Sequence, residues 1–249
     1  MKANCKTTSN RCSELLSALL GVAALMGCGK SEEFAVAPRS TPVLIAEGDE
    51  WYEDLMADAT NRWRAYSNEQ WPESWALEEG MLRRAAEGGD IMTVEEYDDF
   101  DLRLQWKITP GGNSGIMFRV STGDDAPYYS GAECQVLDDE NHKDGGSTLT
   151  STGALYGLYS PAEKSVRSVG QWNDVRIVAE GNHVVFWLND VKVVDCEIGS
   201  DDWNERLAES KFADWPKFAK NRQGHIALQD HGDEVWYRNV RIRRLNDKP

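Results

Sequence analysis

The residues Phe100-Asp101-Leu102-Arg103-Leu104-Gln105-Trp106-Lys107-Ile108 alternate apolar and polar without a break. A period of two suits an extended strand with one face in a core and the other in water, whereas a helix would scatter the same apolar residues around its circumference. The turn formers Pro110-Gly111-Gly112-Asn113 follow, and Gly115 to Val120 then sets Ile116, Phe118 and Val120 on a face opposite Met117 and Arg119, so the two runs read as a hairpin. A second hairpin is expected where Val184 to Leu188 passes through Asn189-Asp190 into Val191 to Val194. Further strands are expected at Ala132 to Leu137, Val175 to Glu180, Gly224 to Gln229 and Val235 to Arg243. Many short strands joined by turns make an all-β, antiparallel β-sandwich. One exception is Asp201 to Lys220, whose irregularly spaced Trp203, Leu207, Phe212, Trp215 and Phe218, with Pro216, read as a short helical insertion packed on the sandwich. Up to about Leu77 the chain predicts mixed short elements, with Trp51, Leu55, Trp63 and Trp75 covering an edge or face of a sheet.

The N-terminus carries a different signal. Lys2, Lys6 and Arg11 precede an apolar run from Leu15 to Met26 that is too short to span a bilayer as a mature helix. It ends in Leu25-Met26-Gly27-Cys28, which resembles the lipobox of bacterial lipoproteins, so residues 1–28 read as a signal peptide with lipidation at Cys28. Residues 29–45 read as a flexible linker and 46–247 as one domain, exported and held to the bacterial cell envelope, in the periplasm or at the outer membrane if the cell is Gram-negative. Processing would remove Cys5 and Cys12 and leave Cys134 and Cys196, as a disulfide or as two buried thiols. The formal charge of -15 argues against a nucleic-acid partner.

Three segments place polar side chains where a sheet face should lie. In Gly112-Asn113-Ser114-Gly115-Ile116-Met117-Phe118-Arg119, the guanidinium of Arg119 would either grip hydroxyls and a developing oxyanion or simply face solvent. Strand alternation sets Glu133 and Gln135 on one face as a sugar-sized polar strip, and the next loop adds Asp138, His142 and Asp144. Those three are also metal-ligand types, so a divalent cation is one reading, although their spacing is not specific to metals. The third segment ends a strand in Gln229-Asp230-His231, which either borders a groove or caps a turn.

Taken in order, Gly112-Asn113-Ser114-Gly115, Glu133-Cys134-Gln135-Val136-Leu137-Asp138-Asp139, Thr152-Gly153-Ala154-Leu155-Tyr156, Gly170-Gln171-Trp172-Asn173 and Ile226-Ala227-Leu228-Gln229-Asp230-His231-Gly232 resemble the 3-keto-disaccharide hydrolase family, as does the closing strand Val235 to Ile242. The opening differs, because Trp51 to Trp63 lacks the family's usual Phe-Asn-Gly-Lys type of strand. The resemblance implies a concanavalin-like jelly roll and cleavage of glycosides already oxidised to a ketone at C3, by hydrolysis or by elimination. A C3 ketone acidifies the C2 proton, so one base, one stabiliser of the enolate oxygen and an acid for the leaving group suffice. The expected base is His142, with Glu133 or Asp138 second; Arg119 and His231 are the enolate or leaving-group partners; Gln135 and Gln229, with Asn113, Asp138 and Asp230, bind the sugar. A cation held by the Asp138 to Asp144 loop would replace the cationic stabiliser. Two other readings remain: a non-catalytic carbohydrate-binding module that depends on exposed aromatic rings, and an ordinary glycosidase using Glu133 and Asp138 as its carboxylate pair.

Overall fold

The computed structural model describes residues 51–246; the expected export signal, lipidation site at Cys28 and linker lie outside them. Among these residues thirteen strands build two antiparallel sheets. The larger takes the order β11 (Val191–Glu197), β10 (His183–Leu188), β9 (Asn173–Glu180), β6 (Phe100–Ile108), β13 (Val235–Arg244), β4 (Met81–Arg84), β3 (Trp75–Glu78), with β1 (Glu53–Asp54) also paired to β13. The smaller runs β2 (Trp63–Ala65), β5 (Ile91–Thr93), β12 (His225–Leu228), β7 (Asn113–Val120), β8 (Ala132–Leu137). Among the described residues the α-helices are α1 (Ala59–Arg62) and α2 (Asp201–Glu209).

Alternation along β6 is realised from Leu102 onward: Leu102, Leu104, Trp106 and Ile108 are buried and Arg103, Gln105 and Lys107 only half-buried, whereas the polar Asp101 is also buried. The inner faces meet through aromatic rings. Phe118 on β7 packs edge-on against Phe100 of β6 at 6.1 Å and Phe186 of β10 at 6.0 Å, so one ring of the smaller sheet engages two strands of the larger. Leu55, Trp63 and Trp75 are buried in the same core, whereas Trp51 is exposed. All of this core belongs to one compact unit beginning at Ile45, which therefore closes its own hydrophobic interior.

The hairpin through Asn189-Asp190 forms as expected, with Leu188 opposite Val191 and both turn residues at positive φ, 51° and 67°. That left-handed pair suits the twist of the flanking strands, and Asn and Asp tolerate it. The hairpin expected between β6 and β7 does not form. The two strands lie in different sheets, and the Pro110 to Gly112 turn carries the chain across the sandwich. Asp138 at the end of β8 holds this corner, accepting from Gly111 N at 2.6 Å while its own amide donates to Gly112 O. Both strands have one apolar face, and local pattern does not distinguish pairing edge to edge from packing face to face.

The expected helical insertion is present. Ser200 Oγ accepts from Trp203 N at 3.1 Å, Asp201 and Asp202 occupy the first turn, and Trp203 anchors α2 in the core. Beyond Ser210 the chain leaves the helix and packs Phe212 flat on Phe218 with centroids 4.0 Å apart.

Because Phe118 fills the space between the sheets, Phe118→Ala should destabilise the domain by about 3–5 kcal/mol in urea unfolding, and Phe118→Leu by clearly less.

Candidate functional site

On β8, Ala132, Cys134 and Val136 turn toward the core, so Glu133 and Gln135 face outward from the smaller sheet. Across the ladder Met117 is opposite Glu133 and Gly115 opposite Gln135. A small apolar patch of Met92, Met117, Val120 and Ala227 lies on this outer face. Gly115 leaves room that Glu133 occupies: a Cβ at that position would collide with Glu133 Oε1.

Over this face opens a cavity of about 150 Å³ whose lining includes Asn113, Glu133, Gln135, Asp144, Gln229 and His231. Three strand ends and one loop thus bring six residue positions singled out from sequence to one place. The remaining wall is aromatic and was not anticipated. Tyr128, Tyr156, Phe212 and Phe218 line it, and Trp215 joins Tyr128 and Tyr129 at centroid distances of 5.8 and 4.8 Å. Lys211 reaches in from the exposed rim, its Nζ lying 4.3 Å from the centre of the Tyr156 ring. The only sequence signal for this wall was the irregular aromatic spacing of the insertion, which pattern alone reads as packing.

Burial dominates the electrostatics. Glu133 is 9% exposed as a residue, and desolvation pushes the pKa of its carboxyl up to about 8, against the opposing attraction of Lys211. Lys211 is lowered by partial desolvation among the rings, opposed by Glu133 and Asp144. Nearby, burial raises Asp90 to about 6, its carboxylate accepting from Asp230 N at 2.7 Å. Asn113 Oδ1 is buried without a hydrogen-bond partner although its residue lines the cavity, an acceptor suited to a ligand hydroxyl.

Several expected roles do not survive the geometry. Arg119 sits at a bulge where β7 gains a residue against β12, with φ at 54°; its guanidinium turns away and donates to Asp98 O and Gly181 O, beside Asp99. The bulge breaks strict alternation, which is why Val120 joins Met117 on the outer face and Arg119 does not. Asp138 is consumed as a cap, accepting from Gly111 N, Glu140 N and Asn141 Nδ2, and borders a separate depression. It therefore does not partner Glu133 as a glycosidase pair. Asp230 ties loops together, pairing with Arg84 at 2.7 Å and accepting from Gly88 N and Gly89 N. Gln135 lines the cavity, but its amide is engaged by Thr150 O and Val136 N. His142 stands behind the lining: its Nδ1 accepts from Asp144 N at 3.1 Å, and its ring meets that of His231 edge-on at 6.0 Å. Asp138, His142 and Asp144 do not converge as ligands, and among the described residues no group of three metal-binding side chains gathers.

Of the two thiol readings, free cysteines are found. Cys134 and Cys196 are both buried, and burial raises both thiols, Cys196 to about 12.

The family profile of the 3-keto-alpha-glucoside-1,2-lyase-like domain covers residues 53–243. The chain belongs to that family. A 3-keto-disaccharide hydrolase from Bacteroides thetaiotaomicron is 30% identical over 248 residues, spanning 87% of this chain and 86% of its own. A crystal structure of a Parabacteroides distasonis protein, provisionally described as a glycosyl hydrolase, superposes with a TM-score of 0.72 at 31% identity, over 79% of this chain and 95% of that one. A second protein from the same organism, described in the same way, gives a TM-score of 0.64 at 27% identity, over 78% of this chain and 99% of that one. The kinship is with carbohydrate-active proteins, and the sandwich is the fold they share.

The raised pKa of Glu133 carries a stability consequence. The folded state holds this proton more tightly than the unfolded chain, so the contribution is fully present below about pH 4.5 and is lost as pH rises through about 8. Glu133→Gln should flatten this dependence, so that the variant gains on the parent in thermal melts at pH 9 relative to pH 5.

Proposed function

We propose that this protein cleaves the glycosidic bond of 3-keto-glycosides and 3-keto-disaccharides by proton abstraction at C2, with Glu133 as the base. The observation that carries the reading is a desolvated carboxyl with a pKa of about 8 in a sugar-sized cavity. Family membership supports the substrate class, and the local chemistry supports the route. A buried carboxylate is a far stronger base than an exposed one, yet at pH 7 roughly a tenth of it is still ionised, enough to act.

In this mechanism the carboxylate takes the C2 proton, and the C–H electron pair moves into the C2–C3 bond as the ketone becomes an enolate. The Lys211 ammonium faces the charge that develops on the enolate oxygen. Collapse of the enolate restores the ketone, forms the C1=C2 double bond and breaks the C1–O bond. His231, at the exposed mouth, gives the leaving oxygen its proton, and His142 steadies the His231 ring. The products are an enone sugar and the free alcohol; addition of water at C1 of the enone turns the sequence into net hydrolysis. Asn113 and Gln229 bind sugar hydroxyls, the first through its unpaired Oδ1. A pure binding module has no use for an acid held protonated at a desolvation cost, which favours the enzyme over that alternative. We further propose that the enzyme works at the cell envelope, tethered through a lipid on Cys28.

Incubating the domain from Ile45 to Pro249 with a 3-keto-disaccharide and with its unoxidised parent, while following enone absorbance and released sugar, tests the class directly. Cleavage of the keto form alone is expected, and equal cleavage of the parent would sink the reading. Glu133→Gln should lower turnover by about 10²–10⁴-fold while substrate binding persists. With a base of pKa about 8, kcat/KM should rise with pH through that value; a fall over the same range would make Glu133 the acid instead. Lys211→Met should cost about 10²–10³ in kcat, and Arg119→Lys should change kcat by less than the stability change explains.

A further inference from the structure

Of the residues lining the cavity, Tyr128, Lys211 and His231 are exposed, so these three form its rim. Lys211 and His231 have roles in the reaction proposed above, and Tyr128 has none. Among the described residues five large apolar or aromatic side chains are exposed, and of the five Tyr128 alone lines the cavity. It is 36% exposed although Pro127 and Ser130, in the same turn, are buried. A single exposed apolar side chain elsewhere on the surface needs no explanation; one fixed at the mouth of a polar cavity does.

The ring is held in place before any ligand arrives. Tyr128 sits in the tight turn Pro127–Tyr129, where the amides of Ser130 and Gly131 both donate to Pro127 O, at 3.2 and 2.9 Å. Ser121 N donates to Ser130 Oγ at 3.0 Å, and Ala219 N donates to Ser130 O at 2.8 Å. Lys217 pairs with Asp124 at 2.8 Å, so the turn is fastened to the segment after α2. Against Tyr128 stand Tyr129 and Trp215, with centroids at 5.0 and 5.8 Å and planes tilted by 41° and 34°. A ring immobilised in this way loses little entropy on contact, which is the advantage of rigid aromatic anchors at binding sites.

The size of the cavity says what reaches this ring. Pockets that enclose a drug-sized molecule hold about 300–1,000 Å³. This one holds about 150 Å³, so one sugar ring occupies it and a second ring of the same glycoside lies at the rim. Of the three rim side chains, only Tyr128 offers a flat apolar surface to the C–H face of a pyranose. We propose that Tyr128 is the stacking platform for the leaving group, so that the protein selects 3-keto-glycosides whose leaving group is a second pyranose over those that release a short open-chain alcohol. That this ring is the leaving group rests on the keto-glycoside reading above; the preference for two rings over one does not.

The test compares the parent protein, Tyr128→Ala and Tyr128→Phe on a 3-keto-disaccharide and on methyl 3-keto-glucoside. Taking a few tens of Å² of C–H surface out of water corresponds to about tenfold in affinity. Tyr128→Ala should therefore lower kcat/KM about tenfold more for the disaccharide than for the methyl glycoside, whereas a merely structural ring would move both alike. Tyr128→Phe keeps the ring and should hold the parent's ratio. Calorimetry on Glu133→Gln, with and without Tyr128→Ala, reads the same preference without turnover. If keto-glycosides are not cleaved, the reaction proposed above fails, while tighter binding of the two-ring sugar that depends on Tyr128 would still support the platform. Equal losses on both ligands in Tyr128→Ala, or loss of the ratio in Tyr128→Phe, would overturn it. Should Tyr128→Ala misfold, as its melting temperature reports, the parent's own calorimetric preference decides: tighter binding of the disaccharide supports the proposal and equal affinity for the two ligands sinks it.

Discussion

Contact between the two inner faces, centred on the Phe118 ring between Phe100 and Phe186, underlies everything else in this molecule. Apolar area leaves water there, and each strand's pleat then sends its alternate residues outward. On the smaller sheet that outward set is Glu133, Gln135 and their neighbours; on the larger it is an array of arginines. The face under the cavity and the arginine-bearing face follow from one packing arrangement, and they point in opposite directions because a sandwich has two outsides.

An outward carboxylate on an edge strand would ordinarily be solvated and weakly acidic in the usual range. Glu133 is not, because the segment after α2 folds Phe212, Trp215 and Phe218 over the sheet and excludes water from it. Gly115 leaves the carboxyl room to settle against the sheet, and Lys211 arrives on the same insertion, so the segment that raises the pKa of Glu133 also brings the cation that limits the rise. Acid strength here is a property of the insertion more than of the strand that carries the residue.

Much of this was legible in the sequence for local reasons. The alternation of Leu102 to Ile108, the Asn189-Asp190 turn and the shared facing of Glu133 and Gln135 are consequences of backbone geometry over a few residues, and all appear as read. Arg119 and Asp138 were misread for an equally physical reason. A single-residue bulge in β7 reverses the facing of Arg119, and a carboxylate that looks free in a string of residues turns out to be the cap of a corner between sheets. Neither a bulge nor a cap leaves a periodic trace.

Strand periodicity, turn chemistry and the order of the family's motifs therefore determined the fold class, the strip on β8 and the kind of substrate to consider, because each depends on residues close together in the chain. Tertiary structure alone decided that Pro110 to Gly112 crosses the sandwich, that Lys211 and the aromatic wall close over Glu133, and that Arg176, Arg103 and Arg241 stand in one row. Those relations join residues far apart in sequence, and their energies, desolvation and charge proximity, exist only once packing has excluded the water between them.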